Sequence, residues 1–379
     1  MRLPPYKLVT TQKEWLECLK ALQQEPRLAI DLEANSLFAY REQVCLIQIS
    51  IPGQDYIVDP TAALELGGLG DLFGNPDIEK VFHAAEYDLI LVKRQYDWIL
   101  KNLFDTMWAA RILGYPRCGL ANLLHDFFDV QQDKKHQKAN WCRRPLTDSM
   151  LAYAQMDTHL LLRLRDEMAE ELRDDNCLAE AQEIFAGQCH IHLNDNSFNP
   201  DDFWSINGTR DLSPQKQALV KALFIFRDSQ ARRLDRPPFK VFDNRTIIEL
   251  AEAAPKYLEE LSHIHGMSRG QVRRYGRPIL QVIAQARHDR PPKRPPKTNK
   301  RPPDAVVNRY EKLHNWRKEK AKKRGVESDV IISRVALWSL AWANPQSAAE
   351  LANTDKVGPW RQETYGAEIL TLLDDLRIR

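Results

Sequence analysis

The chain has 379 residues, more than one typical domain needs, and a hydrophobic content of 43%, enough for two or three real cores. No run of about 18 uncharged apolar residues exists to cross a membrane, and the opening MRLPPYKLVT lacks the apolar centre of a signal peptide, so a cytoplasmic protein is expected. The net charge of +2 hides a split, −10 over residues 1–195 (20 Lys and Arg against 30 Asp and Glu) and +12 over residues 196–379 (34 against 22), which predicts an acidic body with a tail that recruits a polyanion.

Residues 11–22, TQKEWLECLKAL, open with a Thr11 to Glu14 capping box and carry an apolar stripe, which predicts a helix. LAIDLE, VCLIQIS and DYIVD follow as three short strands, spaced to pair as antiparallel neighbours. In the first of them, alternation puts Leu28, Ile30 and Leu32 on one face and Asp31 and Glu33 together on the other. Two like charges about 7 Å apart repel unless water or a cation lies over them. A helix near residues 62–73, the strand KVFHA and the helix EYDLILVKRQY come next, and from about Thr106 onward the pattern is helical. This is an α/β domain with a small mixed sheet. The six cysteines, Cys18, Cys45, Cys118, Cys142, Cys177 and Cys189, never pair as C-x-x-C, so the expectation is reduced thiols with neither a zinc site nor a disulfide framework.

Laid over itself at an offset of 90, the C-terminal part repeats without a gap. FRDSQARR from Phe226 falls on WRKEKAKK from Trp316, Leu250-Ala251 on Leu340-Ala341, Pro255 on Pro345, Glu260-Leu261 on Glu350-Leu351, and Tyr275-Gly276 on Tyr365-Gly366. Each copy is long enough for its own core, which predicts two tandem helical domains. Between them RPPKRPPKTNKRPP, residues 290–303, reads as a semi-rigid basic spacer. The division expected is 1–195, 210–288, a linker at 289–303, and 304–379.

Two further acidic positions stand out. Asp88 lies near the start of a helix that follows a strand, and Asp157 follows Tyr153 by four residues, one helical turn along the same face. DLE at Asp31 to Glu33, HAAEYD ending at Asp88 and YAQMD from Tyr153 to Asp157 resemble, in order and spacing, the three motifs of the DEDD exonuclease superfamily, in its tyrosine branch. FDTMWAARILGY, NWCRRPLT and LDRPPFKV resemble the ribonuclease D family specifically, and the two repeats resemble its HRDC domains. The sequence departs at Ala84, where many superfamily members carry asparagine.

The resemblance implies a ribonuclease H-like sheet and two divalent metal ions held by Asp31, Glu33, Asp88 and Asp157, with Tyr153 orienting the attacking water. Four carboxylates and no histidine or cysteine cluster make an all-oxygen site suited to Mg²⁺ or Mn²⁺. It further implies a 3′-to-5′ exoribonuclease that trims tRNA precursors and other structured RNAs and releases nucleoside 5′-monophosphates. His83, at a strand end, reads as structural. Lys138, Trp141, Arg143 and Arg144 are candidate contacts to the incoming strand, and Thr147 is the expected N-cap of the third-motif helix. Within the tail, Lys293, Arg294, Lys297, Lys300 and Arg301 are the first candidates for phosphate binding, together with WRKEKAKKRG. RNA is the expected partner of a monomeric chain that leaves membranes alone. A DNA proofreading exonuclease and a non-catalytic RNA-binding protein on the same fold are the rivals.

Overall fold

A computed structural model describes residues 3–133, 135–193, 197–296 and 301–374. The chain forms two compact units, one of Met1–Glu33, Val44–Leu193 and Asn299–Arg379, the other of Ala34–Gln43 and Asn194–Thr298.

The first unit is built on a six-stranded sheet of β1 (Tyr6–Val9), β2 (Arg27–Ala34), β3 (Val44–Ile51), β4 (Gln54–Val58), β5 (Glu79–Phe82) and β6 (Leu103–Asp105), in the order β1-β4-β3-β2-β5-β6. It is mixed: β3 and β4 form the expected antiparallel pair, while β1 runs parallel to β4, β2 to β5 and β5 to β6. The edge strands β1 and β6 escape the sequence reading because three or four residues are too few to show alternation. Buried Leu28, Ile30 and Leu32 anchor β2 in the core, which turns Asp31 and Glu33 to the opposite face.

Helices α1 (Gln12–Leu22), α2 (Gly67–Gly74), α3 (Glu86–Tyr96), α4 (Thr106–Ile112), α5 (Leu120–Phe128), α6 (Asp148–His159), α7 (Leu161–Asp174) and α8 (Leu178–Gln188) flank the sheet. The capping box of α1 is present, with both Thr11 and Glu14 hydrogen-bonded to the opposing backbone N–H. The helix expected over 62–73 starts later, at Gly67, because Pro60 and Thr61 open a separate 3-10 turn capped by Asp59. Cys45 and Cys142 form a disulfide between β3 and the segment before α6, which corrects the expectation of six free thiols; their 97-residue separation hides the pair in sequence.

The repeat is visible as structure. Helices α9 (Pro214–Arg233), α10 (Pro238–Val241), α11 (Asn244–Ala253), α12 (Leu258–Leu261) and α13 (Arg269–Ala286) of the first copy recur 90 residues later as α14 (Asp304–Arg324), α15 (Ser328–Ile331), α16 (Arg334–Ala343), α17 (Ala348–Ala352) and α18 (Pro359–Asp374). Equivalent side chains do equivalent work: buried Arg227 donates to the Phe242 carbonyl and buried Arg317 to that of Ile332. Gln271 donates to the Val241 carbonyl and Arg361, its counterpart, to that of Ile331. Gly276 and Gly366 let a long helix approach leucine 261 or 351, where a Cβ would sit 3.2 or 3.0 Å from the side chain.

The copies differ in what they hold. In the second unit, the first copy grips residues 34–43: Tyr40 donates its hydroxyl to Asp228 and its N–H to Asp235, and Lys240 lies over the Phe38 ring. The second copy packs against helices that flank the sheet within the first unit. Arg324 makes a bidentate pair with fully buried Glu180 of α8, Arg361 reaches Glu183 of α8, and Arg111 of α4 pairs with Glu327 and Asp329. Of the basic tail that the charge split predicted, only the first copy therefore lies outside the unit that contains the sheet.

Candidate active site

Three elements deliver the acidic residues. β2 presents Asp31 and Glu33, the first turn of α3 presents Asp88, and α6 presents Tyr153 and Asp157 one turn apart. Ligand oxygens of Asp31, Glu33 and Asp157 lie within 4.8 Å of one another. Asp88 is buried beside them, within electrostatic reach of Asp31 and Asp157.

Burial pushes Asp31 up to about 7 and, reinforced by the neighbouring carboxylates, pushes Glu33 up to about 10 and raises Asp88 and Asp157 well above the carboxylate range. The Tyr153 phenol is also raised, by burial and then by Asp157, Glu33 and Asp31, so it holds its proton at neutral pH. A close set of carboxylates whose charges oppose each other fits a hard divalent cation with oxygen ligands.

The far side of α6 carries a carboxylate of opposite character. Asp55 of β4 is 3% exposed, yet it accepts hydrogen bonds from Ser50 (2.7 Å), Gln155 (2.6 Å) and His159 (2.8 Å). Burial alone would raise it, but these donors outweigh burial and hold it below the usual carboxylate range. Ser50 also accepts from Thr158, so α6 is pinned to the sheet through Gln155, Thr158 and His159, and its other face turns Tyr153 and Asp157 toward β2. Thr147 N-caps α6, as expected.

Further side chains hold the motifs in place. Gln132 donates to Asp157 Oδ1 at 2.5 Å. Asp105 accepts from the Ala84 and Ala85 N–H groups, caps α4 through the N–H groups of Met107 and Trp108, and so fixes the turn that leads to Asp88. Ala84 stands in that turn at φ +63°, a region asparagine tolerates better than alanine. Neither Gln132 nor Asp105 was singled out from sequence, although an aspartate before the helical run at Thr106 is an N-cap signal. His83 is tied to the scaffold on one side: Thr106 donates to the Phe82 carbonyl, so the imidazole Nδ1–H donates to Thr106, and burial pulls its pKa down to about 4.

Two of the four expected strand contacts are otherwise engaged. Trp141 is 1% exposed and packs with its ring 5.9 Å from that of Tyr153, so burial closes it to a base and makes it a support for the phenol. Arg144 spends all five N–H groups, on Asp59 twice and on the carbonyls of Cys45, Trp141 and Arg143. No donor remains for a phosphate. Lys138 and Arg143 are exposed beside this segment, and Lys293, Arg294 and Arg301 are exposed in the linker, where Arg301 pairs with Asp304. Lys297 and Lys300 lie outside the described residues.

Comparison with known proteins agrees with this arrangement. Residues 6–173 match the 3′-5′ exonuclease family, and residues 216–283 and 307–373 each match the HRDC domain. A Caenorhabditis elegans exosome complex component 10 homolog is 36% identical over 257 residues, 66% of this chain and 29% of that protein. A ribonuclease D of Gluconacetobacter diazotrophicus is 28% identical over 285 residues, 74% of this chain and 72% of that protein. The crystal structure of Escherichia coli RNase D has the same fold across 98% of this chain and 99% of its own, with a TM-score of 0.68 at 21% identity. The chain spans 29–43% of the length of the first curated relatives it matches. Among the described residues no helix is long and apolar enough to cross a membrane.

Proposed function

Because residues 6–173 belong to the 3′-5′ exonuclease family and two HRDC domains follow, we propose that this chain is a cytoplasmic, monomeric 3′-to-5′ exoribonuclease that hydrolyses the terminal phosphodiester of RNA and releases nucleoside 5′-monophosphates. Its substrates on this reading are tRNA precursors and other structured RNAs, in keeping with the structured-RNA role of the Escherichia coli protein that shares its fold. The observation that carries the reading is the mutual approach of Asp31, Glu33 and Asp157 with Asp88 buried alongside. The functional division proposed is a nuclease over 1–195, HRDC domains over 210–288 and 304–379, and a basic linker over 289–303.

Asp31, Glu33, Asp88 and Asp157 would hold two divalent cations, Mg²⁺ or Mn²⁺. Bound there, the cations supply Lewis-acid stabilisation of the charge that develops on the phosphate and on the departing 3′ oxygen. Tyr153, protonated and braced by Trp141 and by the edge of His136, orients the nucleophilic water through its hydroxyl and is too basic to deprotonate it. Gln132 occupies one oxygen of Asp157 and so steadies the carboxylate. Lys138 and Arg143, both exposed, would take the phosphates of the entering strand.

The test is incubation of 3′-extended tRNA and matched single-stranded DNA with the protein, with and without chelator. Metal-dependent shortening of the RNA to 5′-mononucleotides is expected. Preference for DNA would favour a proofreading-type enzyme, and inertness toward both would leave an RNA-binding protein on a nuclease fold.

A further inference from the structure

The second helical copy carries an aromatic surface at the edge of its core. On α14 and α16 three rings form a stack: Trp338 and Tyr310 lie 4.0 Å apart at 13°, and Tyr310 and His314 lie 5.7 Å apart at 13°. Along the same face of α16, Trp342 is 56% exposed and Val335 60% exposed, one turn to either side of Trp338. Cations rim the patch. Arg334 and Lys318 are exposed, and Arg309 is held at α16 by its bond to the Ala341 carbonyl, next to Trp342 in the chain. Burial and then the charges of Lys318, Arg317 and Arg334 lower the pKa of His314.

The first copy shows that the fold does not need the α16 residues of this face, whereas Tyr310 packs on the core of its copy at the position that buried Val220 holds in the first. Ninety positions earlier, Trp342 is replaced by Glu252, Trp338 by Ile248, Val335 by Arg245 and Lys318 by Asp228. There the same helix face is covered by an Arg245–Glu249 ion pair at 2.9 Å. One backbone therefore carries a charged, self-satisfied face in one copy and an aromatic, cation-edged face in the other.

An exposed ring backed by half-buried ones and bordered by cations is the chemistry that single-stranded nucleic acid meets: bases stack on the rings while the phosphates neutralise the rim. An apolar protein surface would leave Arg334 and Lys318 facing no partner charge. We propose that the face formed by Tyr310, Val335, Trp338 and Trp342, with Arg309 and Arg334 at its edges, binds an unpaired segment of RNA by base stacking. This rests on the reading of the chain as an RNA-directed enzyme, and it adds a binding site outside the acidic cluster that accepts single-stranded regions with little regard to sequence.

The experiment uses the full chain in chelator, so that no hydrolysis occurs, with 5′-fluorescein oligoadenylate and oligouridylate 12-mers read by anisotropy. Trp342→Ala should weaken binding about five- to a hundredfold, the range for loss of one stacked base, and Trp342→Phe should recover most of it. Arg334→Ala should make the log–log salt dependence shallower by about one unit. Because Trp342 is exposed, its variants should melt with the wild type. Unchanged RNA affinity of Trp342→Ala would overturn the proposal, as would a change confined to sedimentation, which would make the face an interface between copies. The nuclease reading is judged separately: wild-type protein that fails to hydrolyse the same oligonucleotides in Mg²⁺ refutes that reading, whereas loss of the stacking site leaves this hydrolysis in place.

Discussion

Two sets of buried carboxylates lie on opposite sides of helix α6 and behave in opposite ways. Asp55 is surrounded by donors from Ser50, Gln155 and His159 and stays ionised. Asp31, Glu33, Asp88 and Asp157 are surrounded mainly by one another, and burial drives them toward the protonated form. Burial is common to both sets, so it cannot be what distinguishes a structural acid from a functional one. The difference is whether the protein supplies the countercharge or leaves that to a ligand.

The sharpest way to break this contrast is to neutralise one member of each set. Asp31→Asn or Asp157→Asn should abolish turnover while leaving the metal-free melting temperature unchanged or higher, since each removes a carboxyl whose ionisation burial opposes. More than about a tenth of wild-type rate in saturating Mg²⁺ would take that residue out of the site. Asp55→Asn should do the reverse to stability, lowering it by about 3–5 kcal/mol, because an amide nitrogen would face donors that lose their acceptor. Single-turnover assays beside thermal melts separate the two outcomes.

Tyr153→Phe probes the boundary between the sets, where a protonated phenol stands over the repelling carboxylates. It should lower kcat by about ten- to a hundredfold with RNA affinity nearly unchanged, and the rise of rate with pH should survive. Loss of that pH dependence would make the phenol the titrating group.

The two sets should also respond to pH with opposite signs. Folded-state values of about 7 for Asp31 and about 10 for Glu33 exceed the unfolded values, so their favourable contribution is complete below about pH 4 and is lost as pH rises through 7 and toward 10. Asp55, depressed on folding, contributes above its unfolded value and loses that contribution on acidification. In chelator, melting temperature should therefore decline between pH 6 and 9, and the increment restored by Mg²⁺ should grow over the same range. An increment independent of pH would mean that the ions bind elsewhere. The smallest effect belongs to Gln132, which donates to Asp157: Gln132→Leu should cost a few-fold in rate and little in stability, read as kcat against KM.

The contrast also explains what could be read from sequence. Asp31 and Glu33 were conspicuous because strand alternation leaves no partner for two acids on one face, and Tyr153 and Asp157 because a helix turn brings them together. Trp141 and Arg144 misled for the converse reason. An arginine beside a catalytic helix looks available until its five acceptors are known, and Asp59 and Cys45 lie 85 and 99 residues away in the chain. The ion pairs from Arg324 to Glu180 and from Arg361 to Glu183 span 144 and 178 residues and leave no local trace. A repeat offset predicts that two copies share a frame; it does not predict what each will hold.

The attachment of the second copy to α8 has a consequence for synthesis of the chain. Glu180 and Glu183 leave the ribosome well before Arg324 and Arg361, and residues 194–298, which build most of the other unit, come between. At about 5–20 residues per second, α8 waits roughly 10–40 s with two carboxylates that it cannot bury without their arginines. Nascent chains stalled with residues 301–374 still unmade should therefore be cut by protease around α8, and release of the C-terminal helices should abolish the cleavage. Protection of α8 in the shorter chain would show that the sheet closes without them. The unit that holds the sheet, though most of it is encoded first, is then among the last to finish.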